Sequence, residues 1–133
     1  MTISSSHKQQ RRRVLKIMMG TGLLSVFGSF LASTNTIERQ LVELASSLSK
    51  HHSVRNIGHA YISKHPQESN PDRLVQLLEE STLVFRTSYT TSIEHALDFA
   101  ICRDFDQDQT ETIYDWWLSR TEARLYALST LMV

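Results

Sequence analysis

Residues 104–131 read DFDQDQTETIYDWWLSRTEARLYALSTL and form the most distinctive stretch of the chain. Its first part, Asp104 to Gln109, is polar and predicts a turn. The β-branched and aromatic segment that follows, residues 110–117, allows a short strand or hairpin. The tetrapeptide Ser119 to Glu122 then has the S-x-x-E pattern of a helix capping box, so we predict that the last helix begins there.

Upstream of this stretch, the spacing of apolar side chains predicts further helices. Pro66 ends one of them, and Asn70 with Pro71 begins the next, because proline fits the first turn of a helix but not its interior. Residues 86–92 predict a loop, and residues 91–94, TSIE, predict a second capping box. The predicted inward-facing residues are Ile37, Leu41, Leu44, Ala45 and Leu48; Val54, Ile57, Gly58, Tyr61 and Ile62; Leu74, Leu77 and Leu78; Ile93, Ala96, Leu97, Ala100 and Ile101; and Ala123, Tyr126, Ala127, Leu128 and Leu131.

Glycine is scarce after residue 33, which favours helices joined by short turns. Only Gly58 lies there, inside a predicted helix, and it suggests the close approach of another helix. We therefore predict an all-α fold, a compact bundle of four to five helices that allows one short hairpin before the last helix. It forms a single small helical domain over residues 34–133.

Residues 1–33 have the order of a secretory signal. A basic part with five cationic and no acidic side chains precedes an apolar run of 16 residues, 17–32. That run is shorter than the roughly 20 residues of a membrane-spanning helix. Residues 11–16, RRRVLK, resemble the twin-arginine export motif, with departures at Gln10 and Val14. The residues that carry this resemblance are Arg11, Arg12, Leu15 and Lys16.

The signal predicts a periplasmic location, reached by transient binding to the twin-arginine translocon. Removal near Ser33 or Thr34 is favoured, and an uncleaved anchor is the alternative. A basic tail lying on a membrane or on nucleic acid is a less favoured interpretation of the same segment. The rest of the chain has nine basic against 14 acidic side chains, a net charge of −5, which argues against a nucleic-acid partner.

Two patterns suggest a metal site. Asp104, Asp106, Asp108 and Asp115 fall at positions one, three, five and twelve of an EF-hand loop, but Gln109 stands where the loop needs glycine. A solvated acidic turn is therefore the favoured interpretation. The histidines lack the close spacing of a zinc motif, and we predict no metal and no cofactor. They are His51, His52, His59, His65 and His95.

No catalytic motif is present, and Cys102 is predicted to be a small buried hydrophobe. Trp116 and Trp117 are adjacent, so one ring can enter the core while the other joins Tyr114 at a protein interface. Burial of both rings is the favoured alternative. The residues predicted to bind a partner are Tyr114, Trp116, Trp117, Arg120 and Arg124.

Together with the signal, two segments resemble known proteins. LVELASSLSK, residues 41–50, and WWLSRTEARL, residues 116–125, are similar to the small subunits of membrane-associated, flavin-dependent dehydrogenases of the sorbitol, fructose and gluconate type. The resemblance implies that a large flavoprotein subunit is the partner, with a cytochrome subunit further along. It implies no catalytic residue in the small subunit, whose role is assembly and export.

The favoured hypothesis is therefore a non-catalytic accessory subunit or escort of a periplasmic oxidoreductase complex. One alternative is a stand-alone periplasmic protein that binds a metal or a small ligand. Another is a small enzyme whose site combines scattered residues such as Glu122, Arg120 and His95. The accessory hypothesis alone requires an exposed apolar or aromatic patch.

Overall fold

A computed structural model describes residues 36–132, which form five α-helices, one short 3-10 helix and one hairpin, as the all-α prediction requires. The predicted signal, with Arg11, Arg12, Leu15 and Lys16, lies outside these residues, as does Asn35, which the sequence predicts as the N-cap of the first helix. The elements are α1 (Thr36–Leu48), α2 (His52–Lys64), the 3-10 helix (Pro66–Glu68), α3 (Pro71–Ser88), α4 (Ile93–Asp106), β1 (Thr110–Ile113), β2 (Trp116–Ser119) and α5 (Arg120–Leu131).

The last helix, α5, is the centre of the bundle. It contacts all four other α-helices, and its most extensive contact is with α2. Nine of its 12 residues are buried, from Thr121 to Thr130, with only Arg124 excepted in that range. A helix that is buried on all sides cannot show a strong polar face, so its stability depends on contacts with the rest of the bundle.

The N-terminus of α5 is capped as the sequence predicts. The Ser119 hydroxyl accepts from the Glu122 backbone N–H, and the Glu122 carboxylate accepts from the Ser119 N–H, both at 2.9 Å. The carboxylate of Asp104 accepts from the Thr121 N–H at 2.8 Å. Two buried acids therefore lie at the positive end of the helix dipole, where negative charge is stabilised.

Gly58 allows α2 to approach α5 closely, as predicted. A Cβ atom at this position would overlap the backbone carbonyl of Tyr126 and the hydroxyl of Thr130. Because Gly58 has no Cβ atom, the Thr130 hydroxyl has room to donate to the Arg55 carbonyl of α2 at 3.0 Å. Gly58 therefore sets the distance between α2 and α5, the two helices that make the most extensive contact in the bundle.

The hairpin forms where the sequence allowed it. β1 and β2 are antiparallel, with Ile113 opposite Trp116 and Thr110 opposite Ser119. The two residues between the strands, Tyr114 and Asp115, both have positive φ, of 49° and 64°, as in a type I′ turn. Outside the hairpin, the ammonium group of Lys64 donates to the Thr112 carbonyl at 3.1 Å and covers part of the edge of β1.

The predicted loop over residues 86–92 is wrong for its first three residues, because α3 continues to Ser88. Polar side chains in this turn bond backward within the helix. Arg86 donates to the Thr82 hydroxyl and to the Glu79 carbonyl, and the Thr87 hydroxyl donates to the Leu83 carbonyl. These bonds satisfy the polar groups that the sequence pattern assigned to a loop.

The second predicted capping box is displaced by one residue. The cap of α4 is Ser92, not Thr91, and its hydroxyl accepts from the His95 N–H at 3.4 Å. The carboxylate of Glu94 bonds to the Ser92 hydroxyl at 2.8 Å and does not close a box on residue 91. The hydroxyl of Thr90 accepts from the Ser92 N–H, which favours the shifted cap.

The turn predicted over residues 104–109 is shorter, because α4 extends to Asp106. Asp108 then has a φ of 55°, and the Gln109 N–H bonds to the Asp104 carbonyl at 2.8 Å, a common helix ending.

Most predicted inward-facing residues are buried. Those that are only half-buried are Ile37, Ile62, Leu77 and Leu131. Cys102, predicted separately to be buried, is half-buried as well.

None of the helices within residues 36–132 is both long and apolar enough to cross a membrane.

Candidate functional site

Two regions of the described chain differ from an ordinary core or surface. The first is a polar network between the end of α2 and α5. The hydroxyl of Tyr61 donates to the Glu68 carboxylate at 2.6 Å, and Arg124 donates to both oxygens of that carboxylate, from Nε and Nη2, at 3.0 Å each. A two-pronged contact of this kind is the strongest arrangement for a guanidinium and a carboxylate.

The network shifts the acidity of its members. Burial, together with the hydrogen bond to Glu68, raises the pKa of Tyr61. Burial by itself would raise the pKa of Glu68 as well, but the hydrogen bonds from Arg124 and Tyr61 and the positive charge of Arg124 outweigh it and lower that pKa. Near neutral pH the carboxylate is therefore ionised and the phenol protonated. This arrangement stabilises an ion pair and does not prepare a base or a nucleophile.

The network continues toward the hairpin. The ring of His65 lies against Tyr61, with 4.4 Å between centroids, and its Nε2 is 2.8 Å from Oε1 of Glu111. The same oxygen is 3.5 Å from Nη2 of Arg120. The arrangement therefore links α2, the hairpin and α5 through side chains.

The second region is an exposed aromatic cluster, formed by Phe85, Tyr89 and Phe99, between the end of α3 and α4. Phe85 and Phe99 stack at 5.6 Å, and Tyr89 lies 6.2 Å from Phe85 and 6.0 Å from Phe99. Tyr89 is 72% exposed and Phe99 is 45% exposed. The cluster is the kind of surface aromatic group that protein interfaces favour.

The cluster is held in place from one side. The guanidinium of Arg103 lies over the Phe85 ring, 5.1 Å from its centroid, and donates to the Ser81 carbonyl of α3 at 2.9 Å. The contact fixes α4 to α3 beneath the rings. The cluster was not predicted, because residues 86–92, which include Tyr89, were predicted to form a loop. The pairs Phe85–Tyr89 and Phe99–Arg103, each four apart on a helix, were the available signal.

The residues predicted to bind a partner do not form one uniform surface. Tyr114 is 67% exposed at the turn of the hairpin. Trp116 and Trp117 are both half-buried, so neither the burial of both rings nor a fully exposed tryptophan describes them. Trp117 meets the buried Phe105 edge to face at 5.7 Å. Arg124 forms an ion pair with Glu68, whereas the Arg120 guanidinium has, within residues 36–132, only the long contact to Glu111.

The metal and enzyme alternatives gain no support from the described part of the chain. Within residues 36–132, no three His, Cys, Asp or Glu side chains lie together as a metal site requires. Of the EF-hand acids, Asp104 is buried and caps α5, while Asp106, Asp108 and Asp115 are exposed. Glu122 is fully buried in its capping box, and His95 is exposed on α4.

No family model matches the chain, and a search of curated proteins and of solved structures finds no significant similarity.

Proposed function

We propose that this chain is a non-catalytic accessory subunit that reaches the periplasm by the twin-arginine route and carries a flavin-dependent dehydrogenase subunit with it. Twin-arginine export moves folded proteins, so the signal of one chain can transport a bound partner that has none. The accessory hypothesis requires an exposed apolar or aromatic patch on the folded domain. The observation that carries the proposal is the aromatic cluster of Phe85, Tyr89 and Phe99.

Physical chemistry supports a docking role for this cluster. Rings that stay exposed to water contribute little to folding, but the same rings become strong anchors when a partner covers them. Arg103 and the mutual stacking hold the cluster in one arrangement, which lowers the entropy cost of binding. Tyr114 at the hairpin turn is a further exposed aromatic side chain of the domain.

The proposal is tested by purifying the tagged full chain from its own host and analysing the eluate by mass spectrometry and flavin absorbance. We expect a flavoprotein at a constant ratio to the tagged chain. Recovery of the tagged chain alone, from extracts in which it is folded and exported, would overturn the proposal.

A matched pair of variants locates the docking surface. The double substitution Tyr89→Ser and Phe99→Ser removes the two most exposed rings of the cluster, and we expect it to abolish co-purification. Leu83→Ser is the control, since Leu83 is 52% exposed on the same helix but lies two residues from Phe85 and therefore points away from the cluster. Equal loss in both variants would show that the cluster is not the docking surface.

A further inference from the structure

Arg120 and Arg124 lie four residues apart, on the same side of α5, yet their guanidinium groups are used very differently. Arg124 donates to both oxygens of Glu68, at 3.0 Å from each of two nitrogens. Arg120 also has an acidic neighbour, Glu111, but touches it only through one nitrogen at 3.5 Å. The Arg124 guanidinium therefore makes two hydrogen bonds to Glu68, whereas the Arg120 guanidinium makes one long contact within residues 36–132.

Glu111 is not available to complete the coordination of Arg120. Its Oε1 atom already takes the shorter contact of 2.8 Å from Nε2 of His65. The Nε atom of Arg120 is buried and has no hydrogen-bond partner within residues 36–132. Buried donors in native proteins are nearly always paired, because an unpaired one has lost its water without compensation. Glu111 therefore leaves the Arg120 guanidinium incompletely paired within the described residues.

We propose that the Arg120 guanidinium, with the His65 imidazole beside it, binds a carboxylate from outside this domain. Arg124, on the same helix, already pairs its planar guanidinium with the planar carboxylate of Glu68. A carboxylate is therefore an acceptor whose shape fits an arginine fork. Residues 1–35 contain no acidic side chain, so that segment offers none. The source is either an acidic side chain of another protein or a small free carboxylate, and the site is independent of the proposed flavoprotein partner.

The N-terminus of α5 is not itself the site, because its backbone donors are occupied. The N–H groups of Arg120, Thr121 and Glu122 bond to Gln109, Asp104 and Ser119, respectively. The Arg120 side chain, which is 36% exposed as a whole, is the accessible group at this end of the helix.

The test follows the arginine Nε–Hε resonances of the full chain by NMR. One arm adds sodium acetate, and the other adds a capped peptide of four glutamates, both at an ionic strength held constant with sodium chloride. We expect a saturable shift of the Arg120 resonance and none for Arg73, an exposed arginine in the first turn of α3. A residue-specific signal is needed because residues 8–16 carry five other cations.

Variants complete the test, read from the backbone resonances of residues 119–122. Arg120→Gln is expected to remove carboxylate binding. Arg120→Lys keeps the positive charge but lacks the planar guanidinium, and is expected to weaken the affinity for the carboxylate about tenfold. Arg73→Gln is the control and leaves binding unchanged. If acetate saturates the shift, a small free carboxylate is a sufficient ligand. If only the peptide saturates it, the ligand is an acidic side chain of another protein. The absence of saturation in both arms, or equal binding by Arg120→Gln, overturns the proposal.

Discussion

The contact of α2 with α5 and the contact between the end of α3 and α4 use similar side chains in opposite ways. In the first, Tyr61 is fully buried and its hydroxyl is bonded to Glu68. In the second, Tyr89 is 72% exposed and stacks only with its neighbouring rings. The difference shows that a tyrosine contributes to the core of this domain where a polar partner and a second helix enclose it, and stays at the surface where only neighbouring rings contact it. In the contact between the end of α3 and α4, the rings of Tyr89 and Phe99 remain exposed, as they are in surfaces that bind other proteins.

The largest expected effect is at the closest point of the α2–α5 contact. Gly58→Ala should lower the free energy of unfolding by about 3 kcal/mol, because its Cβ would overlap the Tyr126 carbonyl and the helices would have to separate. Urea unfolding of the full chain, followed by circular dichroism, measures the loss. His59→Ala, one residue along on the exposed face, is the control and should be nearly neutral. A stabilised Gly58→Ala variant would show that the close approach does not limit the packing.

Removing Arg124 should have the next largest effect. Arg124→Ala leaves the buried Glu68 carboxylate without its cation, and we expect a loss of about 2 to 3 kcal/mol. Arg73→Ala, an exposed arginine that bonds to Gln76, should change stability by less than about 0.5 kcal/mol. Thermal and urea unfolding of the two variants compare them directly. Equal losses would mean that the buried ion pair contributes no more than a surface contact.

Acid should weaken the α2–α5 contact through Glu68. Its pKa is lower in the folded protein than its ordinary value of 4.5, so its stabilising contribution is complete above that value and is lost as pH falls through the folded pKa. The difference in unfolding free energy between the natural chain and Glu68→Gln should therefore shrink from pH 7 to pH 3. Urea titrations at several pH values measure it. A constant difference would show that ionisation of Glu68 plays no part.

The smallest effect on stability is expected at the aromatic cluster. Tyr89→Ser should change the free energy of unfolding by less than about 0.5 kcal/mol, because most of the ring already contacts water. Differential scanning calorimetry of the purified chain checks this value. If the free energy of unfolding fell by more than about 2 kcal/mol, Tyr89 would stabilise the fold as a core residue does. The contrast between Tyr89 and Tyr61 would then be wrong.

Two copies of the same local pattern show how far sequence reasoning extends. The box over Ser119 to Glu122 forms as predicted, whereas the box over residues 91–94 is displaced to Ser92. In the second case an adjacent serine is an equally good cap, and the Thr90 hydroxyl supports it. A pattern that depends on four residues predicts that a helix starts, but not which of two neighbouring caps is used.

The sequence predicted the helices, apart from the last residues of α3 and α4, together with the cap of α5 and the close helix approach at Gly58, and it allowed the hairpin. These features depend on interactions between residues a few positions apart, or on the absence of a side chain. Only the tertiary structure decided which polar groups pair, since Glu68 and Arg124 are separated by 56 positions and His65 and Glu111 by 46. It also decided that the end of α3 extends past the core and leaves Phe85, Tyr89 and Phe99 together at the surface. The physical reason is that such contacts depend on how whole helices pack, and no local preference specifies that packing.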